Sequence, residues 1–190
     1  MAAQRRGFRR RIARTDARRI RVVDESCAKT DMTRLCGRCK GGARVVDSVP
    51  CRRWETTTMI GSLGADGSTA LMIVEGATDG AVFRAYVKHV LLPVLQPGEI
   101  VIMDNLSSHK LPEVRQMIEG AGAELWYLPP YSPDLNPIEK MWSKVKEHLR
   151  AAKPRVTEEV EHAVRKALQR ITPDDAQGWF NSCGYRYRKS

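Results

Sequence analysis

From residue 79 to residue 150, amphipathic helical spacing alternates with short continuous apolar runs, which restricts the chain to a sheet with helices packed on it. Asp79 stands ahead of Phe83, Tyr86, Val87, Val90 and Leu91, apolar positions at helical spacing that Pro93, Pro97 and Gly98 bring to a stop. Ile100 to Asp104 reads as a strand. Leu111, Val114, Met117, Ile118 and Ala121 mark a second helix ending at Gly120 or Gly122, and Ala123 to Leu128 a further strand. After a Pro-rich loop, 129–137, a helix from Pro137 to about Arg150 carries Ile138, Met141, Trp142, Val145 and Leu149 on one face. Upstream, Ile20 to Val23 reads as a buried strand ending at Asp24, and residues 27–55 as loops and short irregular strands. Thr56 to Leu63 and Thr69 to Glu75 form a hairpin about the turn Gly64-Ala-Asp-Gly67. Two short helices, roughly 157–170 and 173–181, finish the chain. This order implies an α/β fold: a mixed sheet flanked by helices.

At 190 residues the chain suits one sizeable domain rather than two. No apolar stretch approaches a membrane span and no signal peptide is visible, so the expectation is a soluble, cytoplasmic protein with no membrane partner. Five cysteines, an odd number without a secretory signal, point to reduced thiols. The net charge of +10 is concentrated at one end: residues 1–21 hold nine arginines against Asp16, leaving +2 for the rest. The chain therefore divides into a basic, disordered arm, 1–21, and a folded domain, 22–190. In the arm, Arg5, Arg6, Arg9, Arg10 and Arg11 are candidate contacts to double-stranded DNA through its phosphates, and the fold should survive their removal. A transit peptide is the competing reading, but such segments are Ser-rich and the first serine here is Ser26.

Three separated carboxylates close or follow buried elements: Asp24, Asp104 and Glu139. Phosphodiester cleavage needs charge stabilised on both the entering and the leaving oxygen, which two divalent ions about 3.5–4 Å apart supply. Mg2+, with Mn2+ as its substitute, prefers oxygen ligands and binds through few carboxylates, so three acids suffice for two ions. Asp24 could bridge both ions, with Asp104 and Glu139 each completing one.

At these residues the chain resembles the DDE transposases of the mariner superfamily, particularly the bacterial insertion-sequence branch. The likeness rests on Val-Val-Asp24-Glu25-Ser, on Met-Asp104-Asn105-Leu-Ser-Ser-His109-Lys110, and on Leu-Pro-Pro-Tyr131-Ser132-Pro133-Asp134-Leu-Asn136-Pro137-Ile138-Glu139 with Trp142 and Lys146. The 34 residues between Asp104 and Glu139 match that superfamily too. The resemblance implies a ribonuclease H-like catalytic domain that cleaves and transfers DNA strands during transposition, as a homodimer on DNA. It assigns catalysis and metal binding to Asp24, Asp104 and Glu139, with supporting roles for Asn105, His109 and Asn136. Relatives of this kind carry helix-turn-helix domains ahead of the catalytic domain, and no such pattern is present here. The expectation is a catalytic half that pairs with a helix-turn-helix half, or a truncated copy. A remnant that only binds DNA or a longer transposase, and a ribonuclease H-like nuclease or resolvase, are the alternatives.

Each residue also has a plainer reading. Asn136-Pro137-Ile138-Glu139 matches a helix start in which Glu139 merely satisfies the cap, and spacing alone favours neither reading. Asp24-Glu25 and Asp104-Asn105 could be turn residues, and Glu25 or Asp134 the ligands under a shifted register. Cys36-Gly-Arg-Cys39 is half of a zinc pattern that Cys27 and Cys51 could complete, though no second close pair exists. Trp142 is a core residue by its helix face. Tyr185-Arg186-Tyr187-Arg188-Lys189 is either a nucleic-acid contact or a frayed tail.

Overall fold

Strand β1 (Ile20–Lys29) is the centre of a five-stranded mixed sheet of order β3-β2-β1-β4-β5, in a computed structural model that describes residues 2–50 and 54–188. It pairs antiparallel with β2 (Thr56–Gly64), which turns back into β3 (Thr69–Glu75), the hairpin expected from the Gly-rich turn. On its other edge β1 runs parallel to β4 (Ile100–Met103), and β4 to β5 (Glu124–Tyr127).

Both faces of the sheet are covered, which explains why β1 and β4 are apolar at successive positions rather than at alternate ones. Val23, Val101 and Met103 join Phe83, Tyr86, Val87 and Leu91 of α2 (Gly80–Tyr86, continued by a π turn to Leu91) and Val114 and Ile118 of α3 (Pro112–Gly120). Val22, Ile100 and Ile102 join the opposite cluster with α4 (Ile138–Ala152), α5 (Thr157–Leu168) and α6 (Pro173–Ser182). Asp79 caps α2 as expected, accepting from Val82 N at 2.8 Å. The predicted face of α4 is buried, including Trp142. Gly61 of β2 makes room for that ring: a Cβ there would stand 2.7 Å from Trp142 Cη2.

Three expectations are corrected. The basic segment is not a disordered arm: Ala2–Ala13 form helix α1, with Ile12 fully buried and Phe8 nearly so, in the core cluster that holds Trp126, Leu128, Leu135 and Tyr185. Three of its arginines find partners on the body of the protein, Arg5 and Arg9 on Asp134 and Arg11 on Glu124. Strand β1 runs past Asp24 to Lys29, because β2 continues to pair with it after β4 has ended. The C-terminal tail is neither frayed nor free: Tyr185 is buried with its hydroxyl on Leu135 O at 2.8 Å, and Tyr187 donates to Ala65 O at 2.8 Å. Lys189 lies outside the described residues. Among the described residues no helix is long and apolar enough to cross a membrane.

Candidate active site

Parallel pairing of β1 with β4 runs at a constant offset, Ile20 with Ile100, Arg21 with Val101 and Val22 with Ile102. Continued by two residues, that offset sets Asp24 opposite Asp104, just where β4 stops and the sheet edge opens. The pleat then sorts the two adjacent acids of β1 to opposite faces. Asp24 follows Val22 toward α4; Glu25 follows Val23 toward α2. On the α4 side, Asn136 Nδ2 donates to Asp24 Oδ2 at 2.9 Å, while Glu25 N donates to Asp24 Oδ1 at 2.8 Å. Glu139 stands in the first turn of α4. Asp24, Asp104, Asn105, Asn136 and Glu139 line one cavity of about 480 Å³, whose wall is the loop Leu128–Pro133.

His109 organises the other side. Its ring is fully buried, with Nδ1 2.6 Å from Asp104 Oδ1 and Nε2 3.7 Å from Glu25 Oε1. The Nδ1 contact is an ion pair whose ring N–H is not aimed squarely at the oxygen. Phe83 of α2 lies against the ring, centroids 4.2 Å apart, and Tyr127 Oη donates to His109 O at 3.0 Å. Burial alone would lower the imidazole pKa, but Asp104 and Glu25 outweigh it and push it up to about 9. Burial likewise acts to raise Asp104, and the adjacent His109 and the Leu106 N–H together hold it below the ordinary carboxylate value. Asp24 behaves in the opposite way. Its burial, reinforced by the charges of Glu139 and Asp104, pushes it up to about 7 despite the Glu25 N–H.

A carboxyl raised by burial and by its neighbours' negative charge is one that a bound cation would ionise. Among the described residues no three His, Cys, Asp or Glu side chains stand close enough to share a single ion. The acids instead form a loose set around the cavity, with Asn136 Oδ1 buried there and unpartnered. That donor set, all oxygen, fits Mg2+ or Mn2+ held by one or two carboxylates each, with waters and phosphate oxygens completing the shell.

The sequence model of the DDE superfamily endonucleases matches residues 19–161, most of the chain and all three acids. The chain belongs to the DDE superfamily of endonucleases. Among solved structures, this DDE endonuclease superposes on the Mos1 strand transfer complex with a TM-score of 0.74 at 18% identity, covering 96% of this chain and 56% of that one. It matches the Mos1 transposase catalytic domain bound to raltegravir and Mg at 0.68 and 16% identity, covering 95% and 88%. The catalytic core of BIV integrase follows at 0.53 and 12%, covering 83% and 92%. These likenesses establish the ribonuclease H-like fold. The chain spans little more than half the length of the Mos1 chains in the transposon-end complexes. No curated protein matches the sequence.

The plainer readings of several residues fail on this DDE endonuclease's geometry. Asn136 does not cap α4: Pro137 occupies the cap position without a side-chain bond, and the Asn136 amide turns to Asp24 instead. Glu139 is thus free of any capping role. Asn105 donates from its amide to Leu128 O, tying the end of β4 to that of β5. Asp134 is no ligand candidate, because Arg5 and Arg9 occupy its Oδ2 at 2.7 and 3.1 Å. Of the five arginines expected on DNA, Arg5 and Arg9 bind that carboxylate, and Arg11 stacks 3.4 Å above the Trp126 ring and pairs with Glu124 at 3.8 Å. Arg6 and Arg10 are exposed. Cys27, Cys36 and Cys39 are free, exposed thiols with no metal cluster among the described residues, and Cys51 lies outside those residues. Sequence reasoning weighed Glu25 only as a stand-in ligand and missed its place beside His109. The period-two alternation of Val22, Val23, Asp24 and Glu25 carried that signal, since it sends the two acids to different faces.

Proposed function

We propose that this chain is the catalytic part of a mariner-type DNA transposase of the bacterial insertion-sequence branch, cutting and rejoining DNA strands with two Mg2+ or Mn2+ ions. The observation that carries the reading is the convergence of Asp24, Asp104 and Glu139 on one cavity, with Asp24 raised by its burial and, to a lesser extent, by the charge of the other two. The superposable Mos1 complexes, determined with Mg, with Mn and with a left transposon end, support the same choice of metal and of double-stranded DNA as substrate. Asp24, Asp104 and Glu139 are the residues that would hold the metal, which when bound supplies positive charge to the entering and leaving oxygens.

The chain's own groups do the positioning. Asn136 fixes the rotamer of Asp24 through its amide, and protonated His109 fixes Asp104 while keeping it ionised. Glu139, on the first turn of α4, faces the cavity from a rigid element. Water attacks phosphorus in line in the cleavage step and the freed 3′ hydroxyl does so in the joining step, with the leaving oxygen departing opposite. The exposed arginines Arg6 and Arg10 are the DNA-phosphate contacts of α1. We further read the protein as a cytoplasmic homodimer on DNA that relies on a helix-turn-helix half for end recognition, because phosphate contacts position a duplex while base contacts specify it.

The test is a terminal-repeat or pre-nicked duplex with Mn2+. The parent cleaves and Glu139→Gln does not, since the amide keeps the size of the side chain and loses the charge that holds metal. Equal cutting by both proteins would remove Glu139 from the site. Mn2+ should also raise the melting temperature of the parent and not that of Asp104→Asn, because a ligand that binds only the folded state stabilises it.

A further inference from the structure

The loop that forms the cavity wall is braced from two sides by residues outside the 19–161 segment that matches the family. From the C-terminal side Tyr185 donates to Leu135 O. From α1, Arg5 makes a three-point contact: Nη1 donates to Ser132 Oγ at 2.7 Å and to Tyr131 O at 3.2 Å, and Nη2 to Asp134 Oδ2 at 2.7 Å. Arg9, one turn along, shares the same Oδ2 at 3.1 Å. Ser132 is itself 5% exposed and donates to Pro130 O.

This segment needs external support. Tyr131 has a φ of 52°, in the left-handed region that a tyrosine rarely adopts, while its side chain is 89% exposed and makes no compensating burial. Two residues beyond the Arg5 fork lies Asn136, whose amide holds Asp24, and three further on is Glu139. A guanidinium fork gripping a carbonyl, a hydroxyl and a carboxylate of one short loop fixes its path as a single contact could not. Helix α1 can transmit that grip because Phe8 and Ile12 anchor it in the core between and beyond the two arginines.

We propose that Arg5, seconded by Arg9, is a positioning residue for the catalytic loop: by holding Tyr131, Ser132 and Asp134 it sets Asn136 against Asp24 and Glu139 toward the cavity. The inference rests on the metal-binding reading of the three acids above. It assigns Arg5 and Arg9 to the site rather than to DNA, and it makes the N-terminal helix part of the catalytic unit.

The experiment compares Arg5→Ala, Arg5→Lys, Asp134→Asn and the double variant Arg5→Ala/Asp134→Asn with the parent. Three quantities are read: the Mn2+ concentration giving half of the thermal shift, the duplex affinity with its salt slope, and the cleavage rate at saturating DNA. Arg5→Ala should raise the half-effect Mn2+ concentration several-fold and lower the saturated rate about tenfold, with duplex affinity and salt slope unchanged. Asp134→Asn should reproduce the effect from the loop side with α1 untouched, the double variant should add little, and Arg5→Lys should recover part of it. If Arg5→Ala instead weakens duplex binding and flattens the salt slope while the metal response stays parental, Arg5 is a phosphate contact and the proposal fails. If both single variants lower the metal-free melting temperature and leave metal dependence and rate unchanged, the contact is merely structural and the proposal fails as well. Should the parent bind Mn2+ without cutting DNA, strand cleavage falls, and the metal half-effect still decides the role of Arg5.

Discussion

Residues 2–13 and residues 34–49 have much in common as sequence, both short on acids and rich in cations with a few scattered apolar positions, yet they end in opposite states. The first is a helix with two buried anchors; the second is exposed throughout, with Leu35 88% and Val46 87% accessible. Phe8 and Ile12 stand four apart, so a single helical face presents both to the core. Asp134 and Glu124 wait on the body to receive Arg5, Arg9 and Arg11. In the second stretch Leu35, Val45, Val46 and Val49 share no such face, Gly41 and Gly42 sit at positive φ, and Lys153 on Asp47 at 2.6 Å is the ion pair that ties it to α4's end. Order comes from partners at the right spacing, and the basic charge that marks the first stretch says little about it.

The comparison breaks most visibly at Ile12. Ile12→Ala should cost about 2–5 kcal/mol in urea denaturation, the range for a large buried aliphatic, and should loosen the metal response with it. Deleting residues 2–13 should destabilise the domain at least as much, against the expectation from sequence that this segment is dispensable.

Burial also separates two carboxylates on either side of the loop, and pH makes the difference measurable. Asp24 is raised to about 7, so in the metal-free protein its contribution is fully present below the unfolded value near 3.8 and is lost as pH rises through about 7. Asp24→Asn should therefore be more stable than the metal-free parent at pH 8 by about 2–4 kcal/mol, and should lose that advantage at pH 4. Asp134, exposed and held below the ordinary range by Arg5, behaves with the opposite sign. Its contribution is present above its unfolded value and disappears as pH falls through its lower folded one. The melting-temperature difference between parent and Asp134→Asn, present at pH 7, should thus vanish in strong acid. An exposed pair of this kind is worth only about 1 kcal/mol or less.

The smallest effect belongs to the exposed stretch. Leu35→Ser and Val46→Ser should each change stability by less than about 0.5 kcal/mol, because neither removes a buried contact. A drop comparable to that of Ile12→Ala would show that residues 34–49 are packed in solution and would erase the contrast with α1.

The sequence by itself determined the sheet and the helices from Asp79 onward, for reasons that are local. Apolar runs of strand length, helical spacing of Phe83, Tyr86 and Leu91 or of Met141, Trp142 and Val145, and turn glycines all act within a few residues, so each can be read without knowing its neighbours in space. What each supporting residue touches was decided by tertiary structure alone. Asn136 looked like a helix cap and became the hydrogen-bond donor to Asp24, 112 residues away. Glu25 looked like a spare ligand and became the second partner of His109, and Arg5 looked like a DNA contact and became a brace on a loop 126 residues distant. A charged or amide side chain has several favourable local uses, so its sequence context leaves the choice open. Which use it takes depends on the group that packing brings within about 3 Å, and only the assembled fold supplies that.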